Sequence, residues 1–236
     1  MPYYFQTTSF WMSIWPIIIG MVICVIASVN VKATFKRYSS VYNSRGITGA
    51  QAARQILDSN GLYHVSIEMV SGSLSDHYDP KANVVRLSES VYNSASVAAI
   101  GVAAHECGHA VQHATDYAPI RIRQAIIPIT NIGSRLWYII FIAGLAMAST
   151  SFGTGMIYVG IILFALVVLF QIVTLPVEFN ASRRALDTLE NYNILDGDEL
   201  SKAGKVLRAA AMTYVAAVAN ALLQLLRLLA IANKKR

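Results

Sequence analysis

From Leu136 to Val177 the chain reads LWYIIFIAGLAMASTSFGTGMIYVGIILFALVVLFQIVTLPV, 42 residues without a charge. A helix crosses a bilayer core with roughly 20 apolar residues, so this block is too long for one span. Ser149-Thr150-Ser151-Phe152-Gly153-Thr154-Gly155 interrupts it with small and polar residues. The block therefore predicts a helical hairpin with arms at 136–150 and 155–176. The first arm is short for a span. Starting it near Ala125 lengthens it and obliges Arg135 to snorkel or to face protein. The turn carries no Lys or Arg, as expected of the side away from the cytoplasm.

Two further apolar segments flank this block. Phe10 to Val31 begins with Trp11, Trp15 and Pro16 and is followed by Lys32, Lys36 and Arg37. No basic stretch precedes it and no small-residue cleavage site follows, so it reads as a retained anchor with its C-terminal end in the cytoplasm. Ala209 to Leu226 is uncharged, with Lys205 and Arg208 before it and Arg227, Lys234, Lys235 and Arg236 after it. It is expected to be a membrane helix, either a fourth full span or a helix only partly in lipid. The chain as a whole is 55% hydrophobic and 14% charged, with a mean hydropathy of +0.48. That is too apolar for an ordinary soluble domain. The net charge of +6 comes from residues at the ends of apolar segments. It therefore predicts a lipid bilayer as partner and no nucleic acid. The stretch from Val31 through Arg135 holds ten Lys or Arg and that from Val177 through Arg208 holds five, which assigns both stretches to the cytoplasmic side. With Cys24 inside the first span and Cys107 far from it, no structural disulfide is expected.

Residues 46–120 are the one sizeable polar region. Thr48 is placed to cap a helix through Asn60, with Gly61 ending it. Val65–Val70, Leu74–Tyr78 and Val84–Leu87 read as short strands, separated by the turn Ser71-Gly72-Ser73 and the loop Asp79-Pro80-Lys81-Ala82-Asn83. A small antiparallel sheet is expected. A second helix then follows a cap at Ser94 or Ser96, runs through Val97-Ala98-Ala99-Ile100-Gly101-Val102-Ala103-Ala104, and ends near His113-Ala114-Thr115.

That helix carries His105-Glu106-Cys107-Gly108-His109, an H-E-x-x-H pattern. Residues four apart on a helix stack on one face, so His105 and His109 can share one metal ion. Glu106 sits beside that face, placed as a general base for hydrolysis at zinc. Cys107 points the other way. Gly108 costs about 1 kcal/mol in a helix relative to Ala, and its expected use is to admit another backbone. His113, one turn beyond His109, reads as a surface or supporting histidine. A catalytic zinc needs a third protein ligand and an open position. Glu178 is the first charge after the apolar block, and an acidic residue at membrane depth is costly unless paired or metal-bound. It is the leading candidate, ahead of Glu68, Glu89 and Asp116. The plainer alternative is an interfacial carboxylate paired with Arg183 or Arg184. If the helix continues, Asn180 and Arg183 or Arg184 lie close enough to support the site or touch substrate. In Asp76-His77-Tyr78-Asp79-Pro80, His77 or Tyr78 is a further candidate for contacting substrate. Shaping the turn is the simpler role for this stretch.

The segments Asp76–Pro80, His105–Gln112 and Pro176–Ala185, together with the N-terminal anchor, resemble the YugP-type membrane zinc metallopeptidases, small bacterial membrane proteins also called neutral zinc metallopeptidases. The resemblance spans nearly the whole chain. It implies a gluzincin-like site with His105, His109 and Glu178 on one Zn2+ and Glu106 as catalytic base. The family is similar in outline to membrane proteases that process CAAX proteins or respond to heat shock. Those often carry an acidic residue shortly after the glutamate ligand, where this chain has Asn180 and Ser182. The expected fold is a mostly α membrane protein, with about four membrane helices and a small α+β zincin-like cytoplasmic domain. That organisation divides into an anchor at 1–31, a zincin-like domain at 32–124 and a transmembrane hairpin at 125–177. A cytoplasmic helix with the third ligand follows at 178–205, then a membrane helix and basic tail at 206–236. The expected activity is a zinc-dependent endopeptidase, multi-pass in the bacterial cell (inner) membrane and acting on membrane-associated protein or peptide. The rival reading is a zinc-binding membrane protein without hydrolysis, a sensor or scaffold.

Overall fold

A computed structural model describes residues 3–72 and 74–233, with side chains described from residue 14 onward. Among the described residues the chain forms α1 (Tyr3–Tyr38), α2 (Gly49–Ser59), β1 (Ser66–Val70), β2 (His77–Asp79), β3 (Val84–Ser88), α3 (Glu89–Tyr92), α4 (Val97–Ala114), α5 (Ala118–Ala146), α6 (Ser151–Asn191) and α7 (Gly197–Asn233). It is thus mostly helical with one small sheet. Four helices are long and apolar enough to cross a membrane: α1 from Ile14, α5, α6 and α7. The expectations for Trp11, Ser73 and the basic tail Lys234-Lys235-Arg236 lie outside the described side chains. The chain divides into two compact units.

One unit takes Met1–Ala27, Ile122–Leu175 and Thr213–Arg236. Its interior is largely apolar, with Phe141, Ile157, Phe164, Val168 and Ala221 buried together. Its surface is apolar as well: Ile139, Ile142, Ile162 and Leu169 are all exposed. An exterior this greasy is costly in water and suits lipid. Glycines set the spacing of the α5–α6 hairpin. A Cβ on Gly144 would stand 2.7 Å from the Ile157 amide nitrogen, and one on Gly160 would stand 2.8 Å from Phe141 Cβ. Such small residues let membrane helices approach closely and gain van der Waals contact. The break between the arms lies four residues earlier than the expected arms implied. It covers 147–150, and Thr150 Oγ1 accepts from the Gly153 N–H at 3.0 Å to cap α6. The first arm also starts well before 136, at Ala118, and continues through Pro128. Arg135 is exposed, which leaves snorkelling as its means of reaching water.

The other unit takes Ser28–Arg121 and Pro176–Met212. Thr48 caps α2 through a reciprocal capping box with Gln51, and Gly61 follows at φ +73. Ser96 caps α4 by accepting from the Ala99 N–H at 3.2 Å. Ile56, Leu57, Val85, Leu87, Ile100 and Leu189 fill the core between α2, α4, the sheet and the last turns of α6.

The sheet is mixed, not antiparallel throughout. Its order is β1-β3-β2, with β1 parallel and β2 antiparallel to β3. Leu74 departs from the expected second strand because it adopts φ +58, a conformation outside the β region. Extended pairing starts only at His77, and the chain lays β2 on the far side of β3. The Asp79-Pro80 stretch does shape a turn. Asp79 Oδ1 accepts from the Lys81 and Ala82 N–H groups at 3.0 and 3.2 Å, and Asn83 closes the turn at φ +54. Arg86 on β3 bonds Asp79 at 2.8 Å and Glu68 at 3.2 Å, tying all three strands together. Its guanidinium, followed by the two turn amides, holds the Asp79 carboxyl below its ordinary pKa. The short helix α3 was not anticipated from the sequence.

Candidate metal centre

The motif helix α4 is buried on most of its surface because Val97 to Ala104 is small and apolar. On its exposed-edge face His105 and His109 stand with ring centroids 4.8 Å apart, edge to face. Cys107 points away from them into the core, where its thiol donates to the Ala53 carbonyl at 3.6 Å. Burial drives that thiol far above its ordinary pKa. It takes no part in the cluster.

Gly108 supplies the close approach. A Cβ there would lie 2.7 Å from the Ala181 carbonyl oxygen, so α4 and α6 touch backbone to backbone at this point. One turn earlier on α6, Glu178 is 2% exposed and faces the two histidines. Its Oε2 lies 3.4 Å from His105 Nε2 and 3.6 Å from His109 Nε2. All three ligand-type atoms fall within 4.8 Å of one another. Tetrahedral zinc, with bonds of about 2.0–2.2 Å, sets neighbouring ligand atoms roughly 3.3–3.5 Å apart. The donor set of two imidazoles and a carboxylate suits zinc, and the two carboxylate–imidazole separations are close to that spacing. Glu89 lies in α3, Glu68 bonds Arg86 and Asp116 bonds Arg121, so the three rival carboxylates are engaged or placed elsewhere.

The outer ring nitrogens are engaged as well. His105 Nδ1 is 3.1 Å from Ser182 Oγ, and His109 Nδ1 is 3.0 Å from Gln112 Oε1. With Nδ1 as the protonated donor, each Nε2 keeps its lone pair for a metal. Gln112 is fully buried, and its Nε2 donates to the Val177 carbonyl at 2.8 Å and to Asn180 Oδ1 at 3.0 Å. Arg184 Nε donates to the same Asn180 oxygen at 2.8 Å, and its guanidinium lies over the Tyr117 ring. A continuous chain of polar contacts thus runs from His109 through Gln112 and Asn180 to Arg184. Burial alone lowers the His109 pKa. The Glu178 carboxylate, with Glu106 and Gln112, outweighs that and leaves it raised.

Glu106 is 9% exposed on α4, beside the face that carries the histidines. Of the other residues singled out, Asn180 and Arg184 join the network and Arg183 does not, being exposed. His77 is exposed at the start of β2, and its Nδ1 contacts the Ser75 carbonyl. Tyr78 packs on the His113 ring at 5.4 Å between centroids, and its hydroxyl donates to Asn83 Oδ1 at 3.2 Å. Burial, then the neighbouring Asp79 charge, raises its pKa, so the phenol stays protonated at neutral pH. His64, Tyr78 and His113 line a cavity of about 160 Å³ along the last turns of α4. Sequence reasoning missed Gln112. The available signal was its spacing, three residues after His109 on the same helix.

A profile for the family described as "Putative neutral zinc metallopeptidase" matches residues 13–233. The chain is 48% identical over 201 residues to the "Putative membrane protease YugP" of Bacillus subtilis (strain 168), across 85% of this chain and 88% of that protein. No solved structure matches the chain. A match spanning nearly every residue, together with a His-His-Glu cluster of zinc-like spacing, leads to one conclusion: the chain belongs to the neutral zinc metallopeptidase family.

Proposed function

We propose that this protein is a membrane-embedded zinc-dependent endopeptidase that cleaves peptide bonds near the cytoplasmic membrane surface. The observation that carries the reading is the convergence of Glu178 on His105 and His109, with Glu106 beside them. A sensor or scaffold needs the three ligands and has no use for Glu106.

His105, His109 and Glu178 would hold one zinc ion. When bound, zinc polarises the scissile carbonyl and makes a water acidic enough to attack near neutral pH. Glu106 accepts the proton from that water and delivers it to the departing amine nitrogen. Ser182 and Gln112 fix the imidazole rings, so the ligand nitrogens need no reorientation. Among the candidates for contacting substrate, Tyr78 is the best placed. Its protonated phenol packs on the His113 ring and lines the cavity along α4, with its hydroxyl 3.2 Å from Asn83 Oδ1, while His77 bonds its own turn and Arg184 bonds Asn180. The outer edge of β2 offers main-chain groups to an extended substrate, and the adjacent cavity receives a side chain.

The location follows from the sequence. Glu178 directly succeeds the uncharged block, and basic residues mark its side as cytoplasmic. Substrates are then membrane proteins, their juxtamembrane segments, or peptides that reach the bilayer of a bacterial cell. The test is cleavage of a peptide library by purified protein in detergent, alongside its zinc content. Glu106→Gln should keep wild-type zinc and lower turnover by about 10²–10⁴-fold. Equal turnover in the variant would remove the hydrolytic reading.

A further inference from the structure

Arg37 near the end of α1, and Lys205 and Arg208 on α7, line one cavity of about 260 Å³. The cavity belongs wholly to the unit that holds the metal cluster, yet none of its lining residues is part of that cluster. Its walls are two helical faces. On α1, Asn30, Thr34 and Tyr38 follow one another at four-residue spacing, with Arg37 at the rim. On α7, Lys205 and Arg208 are three apart and are followed by Ala209 and Met212 on the same face.

Several cations of the same unit have a carboxylate partner. Arg54, Arg86, Arg121 and Lys202 each form a salt bridge with a carboxylate. Among the described residues, Arg37, Lys205 and Arg208 form none, and no acidic residue lines the cavity. All three are exposed, so water screens much of their mutual repulsion, and an anion held between them would be attracted by all three. The remaining lining is suited to such an anion, because Asn30, Thr34 and Tyr38 carry amide and hydroxyl donors. The placement along the chain narrows its identity. Arg37 closes the apolar span that starts at Ile14, and Arg208 immediately precedes the uncharged stretch 209–226. These are the headgroup-level positions of two membrane helices, and basic pockets between such helices bind anionic lipid headgroups. Ala209 and Met212 give the cavity an apolar wall for the glycerol and first acyl carbons.

We infer that the cavity formed by Arg37, Lys205 and Arg208 with Asn30, Thr34 and Tyr38 binds the phosphate of an anionic phospholipid headgroup. Guanidinium groups contact phosphate oxygens through paired N–H donors, and the lysine adds a compact charge. The proposal is independent of the peptidase reading, since it requires neither zinc nor turnover.

The test uses full-length protein in detergent and native mass spectrometry to measure retention of added lipid. The probes are phosphatidylglycerol, phosphatidylcholine, glycerol 3-phosphate and inorganic phosphate. One phosphatidylglycerol should bind in preference to phosphatidylcholine, and the two soluble phosphates should bind more weakly than the lipid. The triple variant R37Q/K205Q/R208Q should bind phosphatidylglycerol about 100-fold more weakly, at roughly a fivefold loss per cation. The control K32Q/K36Q removes charge from the same end of α1 but outside the cavity, and should bind as wild type does. A wild-type thermal unfolding midpoint and elution volume show that each variant is folded. Should the triple variant not fold, R37Q and R208Q singly report the fivefold losses, and R37K/R208K should retain binding. Equal losses in K32Q/K36Q would reduce the effect to general surface charge and overturn the proposal. Equal retention of phosphatidylcholine, tighter binding of inorganic phosphate than of lipid, or displacement of the lipid by an acidic peptide would overturn it as well.

Discussion

Two glycine contacts in this molecule use the same device for different ends. In the hairpin, Gly160 of α6 admits Phe141 of α5, and the surroundings are apolar on every side. In the other unit, Gly108 of α4 admits the Ala181 carbonyl of α6, and the approach brings a buried carboxylate to two imidazoles. In the first case closeness yields only packing. In the second it sets the spacing of the proposed zinc ligands, for which the tolerance for error is much smaller. An apolar helix pair can relax by tenths of an ångström and lose little. A donor set that has to match bonds of about 2 Å cannot.

The largest effect should come from removing the carboxylate outright. Glu178→Ala leaves two histidines, and zinc affinity measured by chelator competition should fall by more than the roughly 100-fold that marks changes outside the ligand set. Undiminished affinity would mean that Glu178 is no ligand and that its closeness to the histidines is only an ion pair. Next in size is Gln112→Leu. It keeps the volume but leaves His109 Nδ1 and Asn180 without their amide partner, so zinc should bind about 10–100-fold more weakly with the fold intact. The smallest effects come from the glycines themselves and bear directly on the contrast. Gly108→Ala and Gly160→Ala each overpack a contact under 3 Å, at about 1–3 kcal/mol in thermal unfolding. Only Gly108→Ala should also weaken zinc. If both variants bind zinc equally well, the α4–α6 contact does not set the ligand spacing.

Much of this was legible in the sequence because the decisive signals are local. Ser96 caps a run of small apolar residues, so the helix under His105 and His109 could be read directly. Glu178 stood out as the first charge after 42 uncharged residues. The sheet was harder. Strand partners depend on where the chain goes after Gly72 and Leu74, and both adopt positive φ. A periodicity argument assumes that the chain stays extended there. Gln112 was hidden for a different reason. A glutamine is unremarkable in a helix, and its importance appears only when Val177 and Asn180, more than sixty residues away in sequence, are brought against it. The sequence already allowed α5 to pass Arg135 and start near Ala125; the further reach back to Ala118 was obscured by the charges of Arg121 and Arg123.

Cys107 has a consequence for the chemistry of the cell. It stands inside the H-E-x-x-H motif, where a reactive thiol would expose the site to peroxide and to electrophiles. Peroxide oxidation and alkylation both proceed through the thiolate. This sulfur is fully buried, bonded to the Ala53 carbonyl, and held in its neutral form. The motif therefore keeps a cysteine at its centre without acquiring a redox liability. Oxidative stress and thiol-directed inhibitors should leave the site intact, and a metal chelator should not.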